Sequence, residues 1–428
     1  MNNIGDIIKL ERLKQQIKQT QLAKGICSTS YLSKIENNTT TASDEVINLL
    51  LQKLNIELSD QEKNEDAFIE EIRAISKRAR IYRESKFIEE KLNELQYIKN
   101  IYRKTTFLEL QLLILRLTLF FEDKERSTFY LEYLEQEKDN FTPNQKFLFL
   151  QCKAIFHHTY ADIHQALKCF KEALVVSDDI VLEGWERADH HYMLAIAYNS
   201  CDEVINTIEY GKLSLKYFQR AFIINRTIDC YLLIGIAYKK GNNLKEALDS
   251  YELALKMTNE TRMLEDVELL KGVIYQNLGS LSSHLQPEKV IPYYKKSLSY
   301  KQKANNKLVT IFSIVIEYAK YEKWDKVSYW IDQGFALIKD APEAHPKYTY
   351  HLKVYQDLAN YQYITEEVGV AAINYFDEIQ DLRHCLKYSG WLANGFKTRG
   401  KYKLASIYFQ MSQEYLLKRM NIEYIGDL

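Results

Sequence analysis

Two adjacent histidine pairs, His157-His158 and His190-His191, are the first candidates for metal chemistry. Neighbouring residues on a helix point in different directions, so such pairs rarely share an ion. The six cysteines, Cys27, Cys152, Cys169, Cys201, Cys230 and Cys385, contain no C-x-x-C pair. That argues against zinc ribbons and disulfide frameworks and fits a reduced cytosol. No H-E-x-x-H, phosphate-binding glycine loop, G-x-S-x-G or cofactor fingerprint occurs. The expectation is therefore no catalysis, no cofactor and no metal. The remaining chemistry is recognition by amides and by charge.

Asn199, Gln276, Asn277, Gln356, Asn360 and Asn394, together with Tyr192, recur at equivalent places in a repeated helical pattern. A side-chain amide offers one acceptor and two donors, so it can hold a peptide backbone whatever the peptide's side chains. These residues are candidate peptide contacts. Arg116 is a further one. It sits in the apolar run Leu112–Phe121, and a charge there needs a partner. It either meets a carboxylate of a bound peptide, forms an internal salt bridge or snorkels to the rim.

The elements that position these residues are helical. Among 428 residues there are only 14 Gly and 5 Pro, and no Pro precedes Pro143. Helix-breaking residues are thus scarce throughout. Near the start, Ile4, Ile7, Ile8 and Leu13 show helical spacing, and Leu22, Ala23 and Ile26 continue it. Gly25 suits the tight turn after that second helix. Ser28 is placed to cap a third helix anchored by Leu32 and Ile35, and Asn37-Asn38 can end it. Ser43 then starts a fourth. This is a helix-turn-helix pattern. Between Met1 and Ala42 there are six Lys/Arg against three Asp/Glu, although the whole chain has a net charge of -1. A second basic stretch, Arg73 to Lys104, reads as a solvated helix face or as a track for a phosphate backbone.

Beyond the polar segment at 59–66 the helical pattern runs to the end. Its clearest unit is Tyr231-x-x-Ile234-Gly235-x-x-Tyr238, followed by Ala247, Tyr251 and Ala254. That is the tetratricopeptide signature, in which small and aromatic residues of two helices interlock. Related sets recur: Ala166, Phe170 and Ala173; Leu194-Ala195-x-x-Tyr198; Gly279 with Tyr294; Val327 with Gly334; Ala393 with Ala405. The spacing is about 40 residues, against a usual 34. The expected fold is all-α: a helix-turn-helix domain at 1–58, a linker at 59–66, and a right-handed tetratricopeptide superhelix of about nine hairpins at 67–428. Its concave surface would carry the amide residues. The N-terminus has no basic region followed by an apolar core, so a signal peptide is not expected. The longest apolar run is too short to span a membrane.

The segment Tyr31-Leu32-Ser33-Lys34-Ile35-Glu36-Asn37 resembles the Xre/Cro-type helix-turn-helix domains almost residue by residue. In that group the third helix enters the major groove. The resemblance places Ser28, Thr29, Ser30, Ser33 and Lys34 against DNA and Gln19 near a phosphate. Asn38 and Ala42 depart from it, where Gly and Pro are usual. An Xre-type domain followed by long tetratricopeptide repeats is similar to the RRNPP family of peptide-pheromone regulators. That resemblance covers the whole chain. It implies a cytoplasmic quorum-sensing transcription regulator whose binding to operator DNA is switched by a short reimported peptide. It implies a homodimer, with a tetramer as the peptide-bound form. Its alternative is a Rap-like interaction module that binds a response regulator of the sporulation phosphorelay, with DNA binding secondary.

Overall fold

The computed structural model describes residues 4–56, 65–98, 103–160, 162–261, 267–341, 346–420 and 422. The chain divides into two compact units, Met1–Ala254 and Leu255–Leu428.

Unit 1 opens with four short helices, α1 (Ile4–Lys14), α2 (Gln19–Ala23), α3 (Thr29–Glu36) and α4 (Asp44–Lys53). The next helix, α5 (Glu65–Ile81), is long and belongs to the array. Most of the 59–66 linker lies outside the described residues, and Glu65 and Asp66 form the first turn of α5. The capping chemistry read from the sequence is present. Ser28 Oγ accepts from Tyr31 N, and Ser43 Oγ accepts from Val46 N. Each satisfies one of the orphan donors at a helix start. Gly25 has φ 82, as the turn requires.

From α5 onward the helices pair into hairpins. The first helices of the pairs in unit 1 are α5, α7 (Lys104–Phe120), α9 (Pro143–Thr159), α11 (Gly184–Ser200) and α13 (Ile224–Lys240). Their partners are α6 (Ser85–Leu95), α8 (Lys124–Gln136), α10 (Ile163–Asp178), α12 (Val204–Arg220) and α14 (Leu244–Glu260), the last crossing the unit boundary. Unit 2 continues with α15 (Val267–Leu285), α16 (Pro287–Tyr300), α17 (Ala304–Lys320) and α18 (Trp324–Asp340). It ends with α19 (Lys347–Tyr361), α20 (Glu366–Glu378), α21 (Leu382–Thr398) and α22 (Tyr402–Met420). Among the described residues this makes nine hairpins, the number that the repeat spacing predicts.

The interlock behind the repeat signature is explicit. A Cβ on Gly235 would lie 2.5 Å from the Tyr251 ring. Tyr251, Ala247 and Ala254 are completely buried. The glycine is thus required by the close approach of a ring, not by backbone conformation. Hairpin turns are closed differently. Glu122, Asp202, Phe222, Asn242, Glu322 and Gln380 all take positive φ just after a helix. This left-handed position is usually given to glycine.

The helix-turn-helix domain is not separate from the array. Its core residues Ile7, Leu10, Leu32 and Leu50 belong to the same apolar cluster as Phe107, Leu108 and Ile114 of α7. An ionic quartet joins the two. Lys104 Nζ lies 2.8 Å from Glu137 and 3.5 Å from the buried Asp6, and Lys9 Nζ lies 2.9 Å from Glu137.

Candidate functional site

The N-terminal half of α3 is open to solvent. Ser28, Thr29, Ser30 and Lys34 are exposed, and Ser33 is half-buried. Behind it, α3 is held by a buried fork. Arg12 Nε and Nη2 donate to Glu36 at 2.6 and 2.9 Å. Gln19 Nε2 also donates to Glu36, at 2.7 Å, so its amide is turned inward and supports α3. Asn38 shows why it can stand where glycine is usual. It adopts φ 53, its Oδ1 accepts from Gly5 N, and its Nδ2 donates to Asp6 at 2.7 Å. The end of the recognition helix is thereby tied, through Asp6, to Lys104 on α7.

The second candidate region is an arginine cluster in unit 1. Asp189 on α11 accepts from Arg80 Nε at 2.9 Å and from Arg226 Nη2 at 2.8 Å. Asp229 accepts from Arg226 at 3.1 Å and from Arg83 at 3.2 Å. Arg80, Arg226 and Asp189 are buried. The Tyr192 ring lies between two of the guanidiniums, 4.3 Å from Arg226 and 5.5 Å from Arg83. Arg116 lines a cavity of about 200 Å³ with Arg80 and Arg83. Among the described residues Arg116 makes no ion pair, and its buried Nε has no hydrogen-bond partner. Four guanidiniums therefore face two carboxylates.

Electrostatics follow from that imbalance. Burial lowers the Arg116 pKa from 12.5 to about 10; Asp189 opposes this, and Arg80 and Arg83 add to it. Burial alone would raise the Asp189 carboxyl, but Arg80, Arg226, Arg116 and Arg83 hold it well below its ordinary value. An excess of fixed cations around a cavity has the charge to hold an anion, because charge-assisted hydrogen bonds gain strength at a partly buried site.

Sequence reasoning named Arg116 and Tyr192, and the structure brings them into one cluster. It missed Arg80, Arg83, Arg226, Asp189 and Asp229. Much of the stretch Arg73 to Lys104 is a solvated face, as expected, with Arg73, Lys77, Arg78, Lys86 and Arg103 exposed. Arg80 and Arg83 instead join the cluster, and Lys104 joins the quartet. The signal available was slight: Arg80 lies in the last turn of α5 and Arg83 just beyond its end, with positive φ.

The amide residues are placed as follows. Asn199 has a buried Oδ1 with no hydrogen-bond partner among the described residues. Gln276 is engaged in unit 2: its Oε1 accepts from Lys301 and Thr310, and its Nε2 donates to Ser313. Asn277 and Asn394 each donate back to the carbonyl four residues earlier, at 3.0 Å. Gln356 and Asn360 are exposed on α19. The histidines of the two pairs pack as side chains: His190 bonds Gln151 and stands beside Phe147, and His158 bonds Ser200. Among the described residues no helix is long and apolar enough to cross a membrane.

Residues 8–61 match the helix-turn-helix family. The chain is 29% identical over 419 residues to the transcriptional activator NprA of Geobacillus stearothermophilus, covering 94% of this chain and 100% of that protein. Among solved structures it resembles the apo form of the quorum sensor NprR from B. thuringiensis, with a TM-score of 0.67 at 18% identity. That match covers 83% of this chain and all of the other. NprR in complex with its cognate peptide NprX matches at a TM-score of 0.60 and 20% identity, over 84% of this chain and 99% of that one. A Rap protein complexed with competence and sporulation factor matches at 0.65 and 15%, over 83% of this chain and 98% of that one. The chain thus carries a helix-turn-helix domain, shares the hairpin fold of the NprR and Rap structures, and is similar over nearly its whole length to a transcriptional activator.

Proposed function

We propose that this protein is a cytoplasmic quorum-sensing transcription regulator in which a short peptide controls DNA binding. The reading end is α3. Ser28, Thr29, Ser30 and Ser33 meet base edges, and Lys34 meets a phosphate or guanine. One such helix reads only a half-site, so a dimer supplies the second.

The observation that carries the ligand part is the unpaired Arg116 in a cluster of four guanidiniums and two carboxylates. A peptide carboxylate supplies the missing charge. Asn199, with its free Oδ1, offers a backbone N–H partner on the same helix as Tyr192. The cluster and the helix-turn-helix domain share α7: Arg116 lies on it, and Lys104 in its first turn joins the quartet that holds α1. The peptide changes DNA binding to the extent that its affinity differs between two arrangements of that contact.

The test is size-exclusion chromatography with light scattering, plus calorimetry, using synthetic peptides from small reading frames beside the gene. Binding of one peptide, weakened by Arg116→Met and accompanied by a change in operator retention, supports the reading. No heat and no change in assembly with any peptide would overturn it in favour of an adaptor that binds a response regulator.

A further inference from the structure

Unit 2 contains a cation, Lys387 on α21, that has no counter-ion among the described residues. Its Nζ stands 4.4 Å from the centre of the Trp391 ring, 5.3 Å from Tyr355 and 5.6 Å from Tyr388. Among the described residues its one hydrogen bond is to Tyr355 Oη, at 3.2 Å. Among the described residues it forms no ion pair. Asp381 on the same helix bonds His384 instead, through both the backbone N and Nδ1. The Tyr388 hydroxyl is likewise occupied, by His351.

Three rings attract an ammonium by their quadrupoles, but each weakly. An ammonium has three donors, and a single phenol oxygen leaves two of them to be satisfied from outside the cage. Lys387, Trp391 and Asn394 are spaced i, i+4 and i+7, so they share one face of α21. Lys387 and Trp391 are half-buried there, and Asn394 is exposed. Burial pushes the Lys387 amine down to about 8, with Arg383 adding to the effect.

We infer that Lys387, set among Tyr355, Tyr388 and Trp391, is the seat of a carboxylate group of a short peptide. The two open N–H groups grip the carboxylate oxygens, and Trp391 covers the adjoining chain. Asn394 is positioned on the same face to bond the peptide backbone. This deepens the proposed function and rests on its reading of the array as a peptide receptor. It does not depend on which peptide that is. The carboxylate can come from a peptide C-terminus or from an acidic side chain.

The full chain, labelled with lysine carrying carbon-13 at Cε, is titrated with three probes and followed by NMR. They are acetyl-Gly-Gly with a free carboxylate, its C-terminal amide, and acetyl-Asp-Gly-amide. The Lys387 signal is assigned with Lys387→Arg. The expected result is a saturable shift of that signal with one or both acids and none with the neutral amide. A shift with the first acid alone assigns a C-terminus; a shift with the second alone assigns a side chain. In Lys387→Met, acid binding falls at least tenfold while the melting temperature stays level or rises. No shift with either acid, or equal shifts with acid and amide, overturns the inference. So does unchanged acid binding in Lys387→Met with a lowered melting temperature, which marks a purely structural lysine. If a neighbouring-frame peptide binds through Arg116 while the acids leave Lys387 unmoved, only this seat falls. If the acids bind and no such peptide does, the functional proposal falls and the seat remains.

Discussion

Replacing Arg116 with methionine should move stability and ligand affinity in opposite directions. In the free protein the guanidinium has its pKa lowered from 12.5 to about 10, chiefly by burial. That difference corresponds to about 3 kcal/mol of unrelieved desolvation at neutral pH. The sign is fixed by its direction: a cation whose pKa falls on folding destabilises the fold wherever it is charged. The penalty is constant below about 10 and is relieved only as pH rises from there toward 12.5. Methionine keeps much of the stem's packing and removes the charge. Unit 1 should therefore gain up to about 3 kcal/mol, and the gain should be flat between pH 6 and 9. Peptide binding should lose about 3 kcal/mol, a roughly hundredfold rise in Kd, because a buried charge pair can no longer form. Scanning calorimetry reads the first effect and titration calorimetry the second. A variant that melts lower and binds peptide as tightly as the parent would refute the reasoning, since Arg116 would then be an internal structural cation.

Asp189→Asn should be the opposite case. It leaves Arg80 and Arg226 buried with half their partners gone, at about 3–5 kcal/mol by denaturant titration. Lys34→Ala should weaken binding to all DNA sequences alike and reduce the salt slope by about one, as measured by fluorescence anisotropy over a salt series. Lys104→Met should release α1 from the quartet, seen as faster hydrogen exchange in Ile4–Lys14 with α13 unchanged. Stability should fall on acidification below pH 6.5. His351, His190 and His191 are held neutral in the fold by burial, their pKa values lowered to about 2, about 3 and about 4. The unfolded chain takes up protons first, at about 1.4 kcal/mol per histidine per pH unit, and His351→Phe should flatten the acid limb.

The helix-turn-helix and the repeat grammar were legible in the sequence because both are local. Ser28 caps a helix that begins one residue later, and Gly235 meets Tyr251 only sixteen positions on. Short-range complementarity of size and capping leaves a mark in residue order. Helix ends were less legible. The turns use Glu122, Phe222 and Gln380 in a left-handed conformation, where no glycine announces the break.

The arginine cluster was decided by tertiary structure alone. Arg83 and Asp229 are 146 residues apart, and Arg80 and Asp189 are 109 apart. Arg80 and Arg83 come from the first hairpin, Asp189 from α11 and Asp229 from α13, and nothing in the neighbourhood of any of them separates it from a solvated surface charge. Stacking of the first helices brings these charges together and removes their water, so their energies are set by one another. The same holds for Lys387, whose cage takes Tyr355 from α19 and Trp391 from α21. Local periodicity says which face of a helix a charge occupies. Only the packed array says which charges share that face and which one is left without a partner.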